Sequence, residues 1–370
     1  QSAPAQASQG SPGQGGTMGE LLAEFRRGAK EDRRLLLVIV LGWAIIIGAL
    51  ATRGVNGLNP ISYLGNLIVY LSTLVFILAF QIGRLLLRHR PDSPISFLIS
   101  AANDGRLAHG LMRGLPMLFA LVIFLPAFSA MKSAIPLFQP YTWDRTWDAW
   151  DITLHGARAW EVMQPVVGYP VITSAFSVAY HLWVLLIYIG GVYFAFTHTN
   201  RELRTRFFFS FFACWGIIGV LMATLMASVG PCFVGPLLGD HSYDAQMAYL
   251  RAVNEQYPVM VLQVQEQLLE WHRTGNHGLG RGISAMPSMH VSIAFLSFLV
   301  ATRISKRLAV ALGLFCVIVQ VGSVHLAYHY AVDGYVALIV TGAIWLASAP
   351  FARWAVGKQG IGEAPIPVAA

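Results

Sequence analysis

Charged residues are few in this chain: Asp, Glu, Lys and Arg make up 12% of its 370 residues, about half the share of an average soluble domain. That scarcity excludes an ordinary soluble protein of this length. Cysteine is scarcer still. Cys214, Cys232 and Cys316 form no CxxC pair, so neither a disulfide framework nor a zinc site is indicated. No basic stripe is interleaved with aromatics, so the net charge of +7 does not read as a nucleic-acid surface. No internal repeat is evident, and no cluster has metal-ligand spacing. What remains is apolar: 56% hydrophobic, with a mean hydropathy of +0.58 and repeated runs of about 20 apolar residues, the length of a membrane-spanning helix.

Eight such runs, near 35–52, 62–83, 114–136, 172–196, 207–229, 286–302, 308–326 and 330–350, predict an all-α polytopic membrane protein. The sixth and seventh are short and partly polar. An even number of spans puts both termini on one side. Of the 25 Lys and Arg, 18 fall in one alternate set of connecting segments: Arg26–Arg34, Arg84–Arg113, Arg201–Arg206, Arg303–Arg307 and Arg353–Lys358. That bias makes this set, both termini included, cytoplasmic. Residues 1–17, low in complexity, are expected to be a disordered or appended tail, with Met18 reading as a natural start. Leu21, Leu22 and Phe25 lie among charges, so 18–34 is expected to be a cytoplasmic interfacial helix. No small-residue cleavage site follows the first apolar run, which argues against a cleaved signal. N-terminal transmembrane helices then occupy 35–136, a motif-bearing membrane domain 137–350, and a cytoplasmic tail 351–370.

Two segments on the opposite side are long. Residues 137–171 carry Tyr141, Trp143, Trp147, Trp150 and Trp160, aromatics suited to headgroup level. They also carry Asp144, Asp148 and Asp151, spaced to share one helix face. Residues 230–285 open with Gly230-Pro-Cys-Phe-Val-Gly-Pro236, which is turn chemistry. An amphipathic helix over Tyr243–Arg273, broken at Pro258, is then expected on the outer face or over a site.

The chemistry gathers in two stretches at that same face. Ser284-Ala-Met-Pro-Ser-Met-His290 opens the sixth span. Pro287 suits a first helical turn, Ser288 can cap free amides, and a helix N-terminus suits phosphate. His290, one turn in, is placed to hydrogen-bond a phosphate oxygen. His325-Leu-Ala-Tyr-His329-Tyr-Ala-Val-Asp333 opens the eighth span. His329 and Asp333 share a helix face, and a carboxylate on one ring nitrogen leaves the other lone pair free for nucleophilic attack. A lone His or Ser in a membrane helix is more often a packing or hydrogen-bonding group. Two such stretches at one face of adjacent spans favour a phosphoryl-transfer site. His181, beside Tyr180, either lines a headgroup cavity or bonds a neighbouring helix. Asp148 and Asp151 either position an acceptor hydroxyl or form a solvated face. His325 either touches phosphate or faces the next helix.

The two stretches resemble the second and third signature motifs of the type 2 phosphatidic acid phosphatase superfamily, PSGH and SRxxxxxHxxxD. They are closer to the branch typified by fungal inositol phosphorylceramide synthase (the aureobasidin-resistance branch), with its Met-Pro-Ser-x-His and His-Tyr-x-x-Asp. Trp143 to Gly156, as W-D-x6-D-x2-L-x-G, and Gly230-Pro-Cys-Phe are similar to upstream elements of that branch. The resemblance runs over about 140–340. It implies a six-helix phosphatase-like core with outer-face interfacial helices, within a lipid phosphatase or phosphotransferase-like domain over 137–350. It also implies that His329 attacks phosphorus, that His290 moves the leaving-group and acceptor protons, and that Asp333 orients His329. Chemistry of this kind calls for no metal and no cofactor.

The chain departs from that pattern in two places. Gly322-Ser323 stands where the superfamily has Ser-Arg, and the first motif, KxxxxxxRP, is not found at its usual place. Arg84…Arg90-Pro91 mimics it with one residue too few and reads as a membrane anchor. Some cation must balance phosphate charge in the transition state. Arg281, nine residues before His290, leads, followed by Lys132, Arg145 and Arg158. The expected function is a lipid phosphotransferase moving a phosphoryl or phospho-headgroup from a phospholipid or lipid phosphate to a lipid or polar hydroxyl at the outer face. A lipid phosphate phosphatase using the same site is the alternative. A transporter or an inactive scaffold is the alternative of another class.

Overall fold

The computed structural model describes residues 17–103, 105–276 and 280–357, and these are helical with no strand among them. The expected tails lie outside the described residues except at their inner ends. Thr17, placed in the tail by composition, instead starts the first helix: its hydroxyl accepts from Glu20 N, and the Glu20 carboxylate accepts from Thr17 N at 2.8 Å. This reciprocal cap satisfies two amides that would otherwise be open.

The helices run in chain order as α1 (Met18–Glu31), α2 (Arg33–Thr52), α3 (Pro60–His89), α4 (Pro94–Asn103), α5 (Arg106–Phe138), α6 (Asp144–His155), α7 (Ala159–Val167), α8 (Pro170–Leu182) and α9 (Val184–Phe196). There follow α10 (Arg201–Ala213), a π-helical stretch Cys214–Met222, α11 (Ala223–Leu225), α12 (Pro231–Leu238), α13 (Asp244–Asn254) and α14 (Met260–Arg273). The last three are α15 (Met289–Ala301), α16 (Lys306–His325) and α17 (Ala331–Val356). The break between α13 and α14 falls where Pro258 requires it, and Asn254 Oδ1 accepts from Val259 N across the gap at 2.8 Å.

Among the described residues, seven stretches are long and apolar enough to cross a membrane: α2, α3, α5, α8–α9, α10–α11, α16 and α17. The remaining expected span, the sixth, is α15, whose 13 residues rise only about 20 Å against a hydrocarbon core of about 30 Å. It is shorter than expected because 286–288, counted from composition as part of the span, is non-helical chain folded into the site. The structure also lengthens two spans. α3 runs to His89 and α5 starts at Arg106, with α4 between them.

The helix at the centre is α5. In its most apolar window 83% of residues are buried, against 11% for α3 at the periphery. Phe124 packs edge-on against Phe212 of α10, and Phe128 against Trp215 of the π-helix. Asn66 of α3 donates to the carbonyls of Leu121 and Val122, which satisfies a polar side chain inside the bundle.

The two ends of the bundle differ. At one, Glu31 pairs with Arg113 at 2.6 Å, Asp32 with Arg204 at 2.5 Å, and Arg206 donates to Ser348 Oγ and Trp345 O. At the other end lie α6, α7 and α12–α14, together with the starts of α15 and α17. Arg53 stacks over Phe138 there. The α2–α3 turn therefore belongs to that end, and Arg84–Arg90 to the end of the buried ion pairs.

Candidate active site

Both motifs are the N-terminal starts of helices. Ser288 caps α15, its hydroxyl accepting from Val291 N at 3.4 Å. Asp333 sits in the first turn of α17, where its Oδ2 accepts from Tyr330 N at 3.1 Å and from His329 Nδ1 at 3.0 Å. The carboxylate therefore assigns the Nδ1–H tautomer, and the ring also makes a hydrogen bond with the Ala285 backbone. The two motifs are joined directly, because Ser288 N donates to the Asp333 carbonyl at 3.1 Å.

His290 and His329 face one another with ring centroids 6.1 Å apart, and both line one cavity of about 440 Å³. Lys132 of α5, His181 of α8 and Arg281 line it too, and no carboxylate does. The His290 ring is held between aromatics, 4.2 Å from the Tyr180 centroid and 4.0 Å from that of Trp183. Burial, and after it the Lys132 charge, lowers the His329 pKa to about 3, so its imidazole is neutral. Among the described residues Lys132 has no hydrogen-bond or ion-pair partner, whereas Arg281 donates to Asn276 Oδ1 and stacks on Trp271. No group of three or more His, Cys, Asp and Glu among the described residues is arranged to hold a metal ion.

Four of the expected site residues are placed elsewhere. The Ser288 hydroxyl is fully buried in its capping role and does not reach the cavity. His325 is buried between Phe176 and Tyr249, with its Nε2 2.8 Å from Thr173 Oγ1; it faces the neighbouring helices, not a phosphate. Asp148 pairs with Arg158 at 3.0 Å and accepts from the Tyr243 hydroxyl at 2.7 Å, so neither Asp148 nor Arg158 is turned to the cavity. Asp151 accepts from Ala331 N at 2.8 Å and Val332 N at 3.0 Å. It caps the helix that begins just after His329, one oxygen to each amide, and does not line the cavity.

Asp144, two turns earlier on α6, plays the matching part for the other loops. Its carboxylate accepts from Val229 N, from Gly230 N at 2.9 Å and from the Tyr330 hydroxyl at 3.0 Å. Burial raises the pKa of both carboxylates above the ordinary range, against the pull of these hydrogen bonds. The loops are also tied to each other: Cys232 N donates to Ala327 O at 2.8 Å, Ala285 N to Ser228 O at 3.0 Å and Met286 N to Ser228 Oγ at 3.1 Å. Gly230 has φ +89, and a Cβ there would collide with the Tyr328 carbonyl, so only glycine fits this crossing.

Two signals were open in the sequence and passed over. Trp-Asp-x6-Asp sets two aspartates seven apart on one face, which suits holding two backbone segments. Lys132, with Gln139-Pro140 following, keeps the spacing of KxxxxxxRP with Gln in place of Arg. Arg84…Arg90 lies at the opposite end of the bundle, whereas Lys132 lines the cavity.

No curated protein and no solved structure matches the chain. A family model described as the PAP2 superfamily matches residues 146–347, a stretch running from α6 through both histidine motifs into α17. With more than half its length so matched, and with His290, His329 and Asp333 brought together at one end of the bundle, the chain belongs to the PAP2 superfamily, helical membrane enzymes of phosphatase and phosphotransferase type acting on lipid phosphates.

Proposed function

We propose that the protein is a lipid phosphotransferase working through a phosphohistidine on His329. The observation that carries this reading is the Asp333-bound His329 facing His290 across a cavity that also holds Lys132 and Arg281. His329 Nε2 attacks phosphorus; the P–O bond to the leaving alcohol breaks, and protonated His290 gives that oxygen its proton. Tyr180 and Trp183, stacked on His290, hold its ring in place beside the reacting oxygens. An acceptor hydroxyl then gives its proton to His290 and attacks phosphorus, and the P–Nε2 bond breaks. Lys132 and Arg281 balance the charge on the phosphoryl oxygens throughout.

The cation count favours a phosphodiester donor. Of the three cations in KxxxxxxRP and SRxxxxxHxxxD, only Lys132 has a counterpart here. Gln139 and Ser323 stand in the other two places, and the Ser323 hydroxyl donates to Gln320 O inside α16. A phosphomonoester carries a charge of about −1.5 to −2 at neutral pH, whereas a diester carries one. Transfer of a phospho-headgroup between lipids, as in the inositol phosphorylceramide synthase branch, therefore fits this site better than monoester hydrolysis. The basic residues gathered at the far end support a reading with both termini cytoplasmic and the cavity open to the exterior, the periplasm or a lumen.

The test is to incubate purified protein with phosphate-labelled phospholipid, with and without an alcohol acceptor. Acceptor-dependent product and an acid-labile labelled protein, both lost in His329→Ala, are expected. Free phosphate or phospho-headgroup released without acceptor would indicate the hydrolase instead. Turnover retained by His329→Ala would refute the mechanism.

A further inference from the structure

The cavity has two unlike halves. The basic side chains and imidazoles, Lys132, His181, Arg281, His290 and His329, gather at one end. Below them the walls are Leu125 and Phe128 of α5, Ile187 of α9, and Trp215, Gly219 and Ala223. Leu125 lies seven residues down α5 from Lys132, a descent of about 10 Å toward the middle of the bundle. No charged side chain lines that depth. An apolar cavity gains nothing from water and takes up hydrocarbon readily.

The π-helix shapes this depth. It presents Trp215 and Gly219, with Ala223 just beyond its end, four residues apart along one wall. A Cβ at Gly219 would lie 2.6 Å from Phe128 Cε2 and 3.0 Å from Met289 Sδ. Any side chain there would therefore drive Phe128 toward the cavity, and glycine keeps the lower half open.

We propose that the lower half of the cavity, bounded by Leu125, Phe128, Ile187, Trp215 and the π-helical Gly219, is a slot for one acyl chain of the lipid whose phosphate sits between His290 and His329. It rests on the phosphotransferase reading only in making that lipid the substrate. The slot is continuous with the phosphate end, so a single amphiphile fills both. Its floor at Leu125 makes the enzyme sensitive to the length of the chain that enters it.

Two measurements test the slot, the first without turnover. Phosphatidylglycerol carrying a diazirine on one acyl chain is incorporated with the protein into phosphatidylcholine nanodiscs and photolysed. Leu125, Phe128, Ile187 and Trp215 are each no more than 5% exposed, so surrounding lipid cannot reach them. Label on the peptides bearing these residues is expected. Label confined to outward residues such as Ile189 and Ile217 would overturn the slot and leave the phosphotransfer chemistry untouched. In the second, Leu125→Trp is compared with the wild type on phosphatidylinositol with eight-carbon and sixteen-carbon chains. The ratio of long-chain to short-chain kcat/KM is expected to fall about four-fold for each methylene excluded. An unchanged ratio in a folded variant would refute the proposal. A wild type inactive toward every lipid would count against the phosphotransferase reading alone, because the labelling result stands apart from it.

Discussion

Replacing Asp151 with asparagine tests how the site is held. The carboxylate accepts from Ala331 N and Val332 N, one oxygen to each, and is 2% exposed. Asparagine keeps the volume and one acceptor but turns an NH2 toward the second amide. One hydrogen bond to a charged group is lost, worth about 1.5–3 kcal/mol, and a buried N–H is left open. These amides form the first turn of α17, which carries Asp333 and through it the His329 ring. If about 2 kcal/mol of this appears as misplacement of the nucleophile, kcat falls about 30-fold. Lys132 and Arg281 stand on other segments, so KM is expected to stay near that of the wild type. Steady-state kinetics gives the split, and hydrogen exchange at Ala331 and Val332 reports the loosened turn. Wild-type kcat with unchanged protection would refute the reasoning, and a loss confined to KM would return Asp151 to the substrate.

Three further outcomes are expected. Lys132→Met, which removes a cation while keeping much of the apolar stem, should lower kcat/KM about 100- to 1,000-fold without shifting the thermal transition; a loss under ten-fold would leave Arg281 as the main charge. Gly230→Ala places a methyl group against the Tyr328 carbonyl at φ +89 and should cost at least about 1–3 kcal/mol, read as a lower unfolding temperature in detergent; an unchanged transition would show the loop crossing to be adaptable. His198 is held neutral by burial first and then by Arg204 and Arg113, its pKa lowered from 6.5 to about 4. The unfolded chain takes up that proton at a higher pH, so stability is full above pH 6.5 and declines as pH falls toward 4. Thermal unfolding followed across that range should steepen in the wild type and flatten in His198→Asn, and identical slopes would rule His198 out as the source.

The membrane class and most spans were legible because apolar runs are long and charge is rare. The histidine motifs were legible because they adjoin helix starts: Pro287, expected in a first turn, lies just before the cap Ser288 of α15, and Asp333 is in the first turn of α17. The short α15 was not, because composition does not separate the looped 286–288 from the helix that follows. Ser288, Asp148, Asp151 and His325 sit away from the cavity for a common reason. Each is a polar residue near a predicted membrane rim, and such residues serve equally as caps, ion pairs or interhelical bonds. The bonded neighbours decide which: Val291 for Ser288, within its own turn, and residues farther off for the rest, Arg158 and Tyr243 for Asp148, Ala331 and Val332 for Asp151, and Thr173 for His325. Lys132 was under-read because the motif pattern was sought with both its cations.

The spacing in α6 carried more information than either aspartate alone. Asp144 and Asp151 are seven residues apart, two turns or about 10 Å of rise on one face. One end of that rod holds the amides of Val229 and Gly230 and the Tyr330 hydroxyl; the other holds the amides that open α17. α6 therefore sets the distance between the loop over the cavity and the segment bearing His329. One residue inserted between the aspartates turns Asp151 by about 100° and removes it from both amides, although every catalytic side chain is retained. Such an insertion should abolish phosphoenzyme formation as fully as His329→Ala, whereas one placed after His155, beyond both carboxylates, should spare it. Equal losses from the two insertions would mean that α6 acts through its surface alone and not as a spacer.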